Sequence, residues 1–308
     1  MIITPRAIVA YLHIRTDSPY FCAMPYYPPF NVEEFLKAAL AEDVGNGDHT
    51  SLACIPHDAQ GQARLLVKDD GVLAGMEYAP IIFSLVDPGL HFEGKIQDGA
   101  EVKKGDVAFL VSGSSISITT AERLTLNLMQ RMSGIATKTH QVSQLISHTK
   151  TRLLDTRKTS PGLRYFEKKA VLIGGGLNHR YGLYDMILIK DNHVDYAGGV
   201  SNALSNVKSY LQKSGLELKV EVEARNLDEV REILKDGLAF RILLDNFTPA
   251  LIAEAVNIIN GQMETEASGG ITEENIVPYA EAGVDYISMG ALTHSVKSLD
   301  LSLKAIRQ

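Results

Sequence analysis

Residues 152–193 read RLLDTRKTSPGLRYFEKKAVLIGGGLNHRYGLYDMILIKDNH, and this stretch decides the predicted fold. Two short apolar runs, at 152–155 and 186–190, are separated by a segment with helical character. Short buried strands that alternate with helices are typical of βα units. Cationic side chains follow both runs: Arg157, Lys158, His179, Arg180 and Lys190. The stretch therefore predicts a strand–helix–strand unit that gathers positive charge at the C-terminal ends of its strands.

The same rhythm continues downstream of this unit. Further predicted strands lie at 219–224, 241–245, 263–268 and 286–290, with helical segments between them. A repeat of about 22 residues is the spacing of a βα barrel, in which functional groups lie at the C-terminal ends of the strands. The six runs predict a parallel sheet of barrel type with one common site.

The rest of the chain predicts other units around this barrel. Residues 31–118 alternate short strands with helices and predict a separate N-terminal α/β domain. Prolines at positions 25, 28 and 29 place residues 1–30 in an extension outside the fold. The predicted division is an extension (1–30), an N-terminal domain (31–118), a barrel domain (119–295) and a C-terminal helix packed back on the N-terminal domain (296–308).

Composition excludes several classes of protein. A formal charge of −7 over 308 residues argues against general binding to nucleic acids or acidic membranes. No apolar run approaches the roughly 20 residues that a membrane-spanning helix needs. Cys22 and Cys54 have neither the number nor the spacing of a disulfide scaffold or a metal site. A cytoplasmic location is expected from this cysteine content.

Two carboxylates, Glu223 and Asp245, come at the ends of successive predicted strands. In a basic site such a pair suits Mg²⁺, which keeps several waters and takes substrate phosphates as ligands, or the hydroxyls of a sugar. The alternative is an ion pair with Arg157 or Lys190. The sequence leaves these interpretations open.

Glycine-rich turns follow the last two predicted strands. Ser268-Gly269-Gly270 and Gly290 each precede a predicted helix, and free backbone N–H groups there suit a phosphate. The alternative is that these glycines only permit tight turns. His179 could equally be a buried histidine with protein partners, and Arg123 a surface arginine or a partner of Glu122.

The residues quoted so far belong to a longer series of segments that resembles the quinolinate phosphoribosyltransferase family. The series runs from residue 42 to residue 295. Its members are EDVGNGDHTS, ERLTLNLMQRMSGIAT, LLDTRKTSPGLR, GGGLNHRYGLYDMILIKDNH, VEVEA, LLDNF, EASGGIT and ISMGALTHS. We expect residues 1–30 to match nothing in the family.

The resemblance implies a fold, an assembly and an activity. The fold is an N-terminal α/β sandwich with an incomplete, seven-stranded α/β barrel. The assembly is a homodimer in which Arg123 enters the partner's site, and the sequence leaves open whether dimers form hexamers. The activity transfers phosphoribosyl from 5-phosphoribosyl 1-pyrophosphate to quinolinate with loss of CO₂, and it uses Mg²⁺.

The resemblance also implies a role for each site residue. Quinolinate would be held by Arg123, Arg157, His179, Arg180 and Lys190. Phosphoribosyl pyrophosphate would be held by Lys158, Glu223, Asp245, Ser268, Gly269, Gly270 and Gly290. Lys158, Glu223 and Asp245 would take part in catalysis, and the two acids would hold Mg²⁺ directly or through water.

Three other functions compete with this one. A related phosphoribosyltransferase could act on nicotinate or another base without decarboxylation. A non-catalytic carrier or sugar-phosphate binding module could be built on the hammerhead-like segment DGAEVKKGDVAFLVSG (residues 98–113). A βα-barrel lyase could use Lys190 as a Schiff-base lysine. The two phosphate-type turns together with the two acids favour a phosphoribosyltransferase over the carrier and the lyase.

Overall fold

The structure is a computed structural model that describes residues 30–306. The predicted N-terminal extension lies outside the described residues, except for Phe30. The Phe30 ring stacks on Tyr165 with 4.7 Å between ring centroids and lies 5.6 Å from Phe35. Residue 30 therefore belongs to the packed fold, contrary to the prediction, because its ring closes an aromatic cluster.

An antiparallel sheet forms the first part of the fold, and it combines three N-terminal strands with one C-terminal strand. Its strands, in spatial order, are β12 (Leu301–Ala305), β1 (Gln60–Val67), β5 (Val107–Ser114) and β3 (His91–Gly94). A small pair is formed by β2 (Gly71–Val72) and β4 (Glu101–Val102). The helices of this part are α1 (Val32–Val44), α2 (His49–Cys54) and α3 (Ala79–Val86). Phe83 on α3 packs 5.8 Å from Phe109 on β5, so helix and sheet share one core.

The C-terminal segment is a strand, and the predicted helix at 296–308 is wrong. β12 pairs antiparallel with β1 from Ala63↔Ala305 to Val67↔Leu301. Leu301 and Leu303 are buried while Ser302 and Lys304 between and beside them are more exposed. This alternation has the period of a strand, and the free edge of β1 supplies the backbone partners that a helix would not use.

A long helix, α4 (Ser115–Leu145), joins the two parts. It runs without interruption through residues 118–119, where we predict the domain boundary. Its Arg131 donates to Glu167 Oε1 at 2.8 Å and to the carbonyl oxygen of Thr293. The helix thus holds two segments of the second part, and the exact domain boundary stays a prediction.

The second part is a parallel sheet, which confirms the predicted α/β class. All six predicted strands form: β6 (Arg152–Leu154), β7 (Ile187–Ile189), β8 (Val220–Ala224), β9 (Arg241–Asp245), β10 (Glu264–Ser268) and β11 (Tyr286–Ser288). Their spatial order is β6-β11-β10-β9-β8-β7. A seventh parallel position is reduced to a single bridge between Leu154 and Leu177, so the barrel is incomplete between β6 and β7.

Helices accompany these strands in the βα order expected of a barrel. They are α5 (Arg164–Ile173), α6 (Asp191–Ala197), α7 (Val200–Ser214), α8 (Leu227–Asp236), α9 (Pro249–Ile259), α10 (Ile276–Glu281) and α11 (Ala291–His294). Between Phe30 and Ile306, no helix is long and apolar enough to cross a membrane.

Candidate active site

One cavity at the C-terminal ends of the parallel strands collects half of the twelve predicted site residues. It has a volume of about 310 Å³. Six predicted residues line it: Arg157, Lys158, His179, Arg180, Lys190 and Ser268. The other lining residues are Thr156, Leu188, Leu243, Glu266 and Ser288. Parallel strands end at the same edge of the sheet, which brings residues distant in sequence to one site.

The cavity carries an excess of positive charge. Arg157, Lys158, Arg180 and Lys190 face a single lining carboxylate, Glu266. Burial and the nearby Arg157 guanidinium both lower the pKa of Arg180, since like charges disfavour its protonated form. Arg180 is held by its donation to the carbonyl oxygen of Met186 at 3.1 Å. An anionic ligand would relieve this repulsion, and a planar guanidinium can bind a carboxylate with two hydrogen bonds.

His179 is buried with protein partners at both ring nitrogens. Its Nδ1 accepts a hydrogen bond from the Arg180 backbone N–H at 2.7 Å, and its Nε2 lies 3.0 Å from Glu221 Oε2. Burial opposes protonation, but the charges of Glu266 and Glu221 outweigh it and raise the pKa of His179. The sequence-based alternative of a satisfied buried histidine describes this geometry, although the residue also lines the cavity. Contact between a ring nitrogen and a ligand would require the ring to turn.

A buried ionic cluster lies behind the cavity, and sequence reasoning missed it. Arg241 donates to Glu266 Oε2 at 3.1 Å, and its Nη1 lies 4.0 Å from Glu221 Oε1. All three side chains are at most 3% exposed. Burial and the charge of Glu221 raise the pKa of Glu266 to about 7. The available signal was the alternation of charged and apolar residues in the strands VEVEA and ETEAS.

Glu223 and Asp245 lie close together at the ends of the neighbouring strands β8 and β9, outside the cavity lining. Burial and the charge of Asp245 both raise the pKa of Glu223. Lys190 Nζ is 3.9 Å from Glu223 Oε2, so the predicted ion-pair alternative is present at long range. A second cation between two mutually repelling carboxylates would be favourable, and their oxygens are of the kind that Mg²⁺ prefers.

The Gly269-Gly270 turn differs from the prediction because no helix begins directly after it. The Gly269-Gly270 turn has positive φ angles of 93° and 63°, yet helix α10 begins only at Ile276. Between them, Asn275 closes a turn by accepting from Thr272 N at 2.7 Å and donating to the Gly270 carbonyl oxygen at 3.1 Å. The positive end of a helix therefore does not lie directly at this turn, and any phosphate there would bind the turn's own backbone.

Both glycines are closely approached by neighbouring side chains, and the positive φ of Gly269 requires glycine there. A Cβ on Gly269 would clash with the side-chain oxygen of Asn246, and one on Gly290 would lie 2.7 Å from Lys158 Cδ. Ser268 pairs in register with Asp245. The two turns, Lys158 and Asp245 thus lie close together, as the predicted phosphoribosyl pyrophosphate site needs.

Arg123 is the one predicted site residue on the long helix α4, outside the parallel-strand part of the fold. It is exposed on α4 and is not among the residues that line the cavity. Its assignment therefore stays a prediction that depends on a second chain.

Known proteins resemble this chain along most of its length. Residues 48–133 match the N-terminal domain of quinolinate phosphoribosyl transferase, and residues 135–304 match its C-terminal domain. A tobacco (Nicotiana tabacum) protein named quinolinate phosphoribosyltransferase [decarboxylating] 2b, mitochondrial, is 46% identical, with 98% of this chain and 91% of that protein aligned. An Arabidopsis thaliana protein named nicotinate-nucleotide pyrophosphorylase [carboxylating], chloroplastic, is 48% identical, with 91% of this chain and 84% of that protein aligned.

Among solved structures, NadC from Streptococcus pyogenes superimposes with a TM-score of 0.85 at 37% identity, covering 91% of this chain and 99% of that one. The tobacco alignment also reaches into residues 1–30, because 98% of the chain is aligned. The expectation that these residues match nothing in the family is therefore wrong. The sequence-based resemblance is otherwise confirmed, and the chain belongs to the quinolinate phosphoribosyltransferase family.

Proposed function

We propose that the protein transfers phosphoribosyl from 5-phosphoribosyl 1-pyrophosphate to quinolinate with decarboxylation, giving nicotinate mononucleotide, pyrophosphate and CO₂. The observation that carries this proposal is the cavity itself, in which four cationic side chains face one carboxylate. A pyridine dicarboxylate has two negative charges at fixed spacing, which suits several cations on different strands. Family membership and the names of the aligned relatives support the same activity over transfer to nicotinate.

The chemistry needs positioning and electrostatic stabilisation more than a strong base. The ring nitrogen of quinolinate attacks C1′ of the ribose, the bond from C1′ to the pyrophosphate oxygen breaks, and pyrophosphate leaves. Lys158 and the Gly269-Gly270 and Gly290 turns would bind phosphate oxygens and offset the developing charge. The 2-carboxylate then leaves as CO₂, its bonding electrons stay on C2 beside the pyridinium nitrogen, and a proton replaces it. Holding both substrates in line would supply a large part of the rate enhancement.

Mg²⁺ is proposed as the cofactor, held by Glu223 and Asp245 directly or through water. The fit rests on the mutual repulsion that raises the pKa of Glu223 next to Asp245. Bound there, the ion would offset negative charge on the pyrophosphate leaving group. Lys190, 3.9 Å from Glu223, can then turn toward the quinolinate carboxylates.

Release of labelled CO₂ tests the proposed function. We expect purified protein with Mg²⁺, phosphoribosyl pyrophosphate and quinolinate labelled at the 2-carboxylate to release CO₂ and form nicotinate mononucleotide in equal amounts. The matched reaction with nicotinate should give no product, and excess chelator should stop the quinolinate reaction until Mg²⁺ is restored. Formation of mononucleotide from nicotinate, with no CO₂ released from quinolinate, would establish the competing activity instead.

A homodimer is proposed as the active assembly, with Arg123 of each chain completing the site of its partner. Support comes from the exposed position of Arg123 on α4, where it does not line the cavity of its own chain. Assembly into hexamers stays open. The cytoplasmic location also stays a prediction, since the aligned plant relatives are named as mitochondrial and chloroplastic proteins.

Hybrid dimers test the shared site. Arg123→Ala and Arg157→Ala should each be inactive alone, because each removes a carboxylate ligand from both sites. When the two variants are co-expressed, half of the dimers are hybrids, and one of the two sites in each hybrid has both arginines. We expect about a quarter of wild-type activity per chain in the mixture. A mixture as inactive as its components would show that Arg123 and Arg157 act in the same chain's site.

A further inference from the structure

Residues 178–180 follow the point at which backbone pairing with the parallel sheet ends. Leu177 is the last residue there that pairs with β6: it donates to the Leu153 carbonyl oxygen at 2.8 Å and accepts from Asp155 N at 3.0 Å. No strand pairs with residues 178–180 in the part of the chain that the structure describes. His179 and Arg180, which line the cavity, therefore need another means of support.

Two side chains supply the backbone hydrogen bonds that a neighbouring strand would supply. The carboxylate of Asp155 accepts from His179 N at 2.7 Å. The ammonium group of Lys168 donates to the His179 carbonyl oxygen at 3.0 Å. Asp155 directly follows strand β6 and Lys168 is on helix α5, so the His179 peptide groups are tied to both elements. The Asn178 amide adds a third contact, because its nitrogen, turned toward its acceptors, lies 2.7 Å from Asp155 Oδ2.

Asp155 and Lys168 form a pair that is removed from water. Their side chains are 0% and 2% exposed, and Nζ lies 2.6 Å from Oδ1. Burial raises the pKa of Asp155 and lowers that of Lys168, which reflects the cost of keeping both groups charged. A buried ion pair commonly adds less stability than apolar residues of the same size. Stability alone therefore gives a weak reason for this pair, whereas fixing the position of a neighbouring segment gives a specific one.

We propose that Asp155 and Lys168 are positioning residues for quinolinate: they substitute for the missing seventh strand and fix His179 and Arg180 in the cavity. Neither side chain lines the cavity, so both act through the segment that they hold. Fixing the His179 peptide directs the next residue, Arg180, whose guanidinium is held at its far end by the Met186 carbonyl oxygen. The proposal concerns quinolinate, because the held segment carries two of its predicted ligands, His179 and Arg180. Of the predicted phosphoribosyl pyrophosphate residues only Lys158 follows the same strand as Asp155, and the others lie on other strands and turns. It rests on the proposed function.

The test is the double variant Asp155→Leu/Lys168→Met, which removes both charges together and leaves no unpaired buried ion. We expect the KM for quinolinate to rise about 10- to 100-fold, as small displacements of binding groups cause, with the KM for phosphoribosyl pyrophosphate within about twofold of wild type. Amide hydrogen exchange measured by mass spectrometry should accelerate in peptides covering residues 176–182 and stay unchanged in strands β9 and β10. The matched control is Glu77→Leu/Lys169→Met, which removes a more exposed ion pair from the adjacent position of the same helix and should change neither KM.

If the first double variant does not fold, Asp155→Asn/Lys168→Met decides the question. It keeps an acceptor for His179 N and removes only the donor to the carbonyl oxygen, and we expect the quinolinate KM to rise several-fold. A folded variant with wild-type exchange in 176–182 and wild-type KM for quinolinate would overturn the proposal, as would an equal rise in both KM values. Absence of quinolinate turnover in the wild type would instead refute the proposed function, and the exchange measurement would still report on the positioning role.

Discussion

Arg157→Ala should lower kcat/KM for quinolinate by about 10²- to 10⁴-fold and leave the fold intact, because it removes a cation that can donate two charged hydrogen bonds to one carboxylate. Arg157 lines the cavity with an exposed side chain. Within residues 30–306 no hydrogen bond or ion pair holds its guanidinium, so truncation leaves no group unpaired. The free energy of unfolding should therefore change by less than about 0.5 kcal/mol. Steady-state kinetics and urea denaturation of the same preparation measure both effects.

The matched control is Arg152→Ala, at the opposite end of strand β6. Arg152 is also exposed, but it begins β6, whereas Arg157 follows the end of that strand. We expect wild-type kinetics from this control, because ligands in barrels bind at the C-terminal ends of the strands. If Arg157→Ala keeps kcat/KM within about threefold of wild type, the guanidinium does not bind quinolinate. If both variants lose activity equally, general charge and not a specific contact is responsible.

The parallel strands were predictable because four of them are short apolar runs that end in polar residues, while β8 (VEVEA) and β10 (ETEAS) fall at the repeat spacing of about 22 residues. Periodicity and strand-end position together placed Arg157, Lys158, Arg180 and Lys190 at one site, and the structure gathers all four in one cavity. An apolar run can be recognised from local sequence alone. Both faces of a parallel strand are buried, so the strand is apparent even when its neighbouring strands are not known.

The C-terminal strand was not predictable in this way. Leucines at 299, 301 and 303 fit a strand by their alternation, and the first and last of them also fit a helix turn by their spacing of four. A five-residue strand is too short for the two periods to be told apart. The unpaired edge of β1 decides between them, and that edge exists only once the N-terminal sheet has formed.

The buried charges were missed for a related reason. A charged residue in one sequence is ordinarily assigned to the surface, and only the partner on a neighbouring strand makes its burial acceptable. Lys168 is 13 residues from Asp155 and Arg241 is 25 residues from Glu266, so no local pattern links either pair. Arg123 is the extreme case, because in the proposed homodimer its contact lies in the site of another chain.

Arg241→Met should lower the free energy of unfolding by about 3–5 kcal/mol, the typical result of removing one partner from a buried ionic cluster. The change leaves Glu221 and Glu266 buried without their guanidinium, and Glu221 Oε1 and Glu266 Oε1 already lack a hydrogen-bond partner. Contacts with aromatic rings are lost as well, since the guanidinium carbon lies 4.2 Å from the Tyr286 ring centroid. Urea denaturation at pH 8 measures the effect. Arg231→Met, which breaks an exposed ion pair with Asp228, is the matched control and should cost less than about 1 kcal/mol.

The loss of free energy of unfolding in Arg241→Met should increase as the pH rises. Burial and the charge of Glu221 raise the folded-state pKa of Glu266 to about 7, above the ordinary value of 4.5, so the folded protein binds a proton that the unfolded chain releases. Stability from this group is therefore lost as pH rises from about 4.5 to 7, and removing Arg241 raises the folded-state pKa further. We expect a smaller deficit at pH 5.5 than at pH 8, and partial recovery at pH 8 when Glu266→Gln is added. A deficit that is equal at both pH values and unaffected by Glu266→Gln would mean that Arg241 stabilises the barrel through packing and Glu264, without compensating the buried carboxylates behind the cavity.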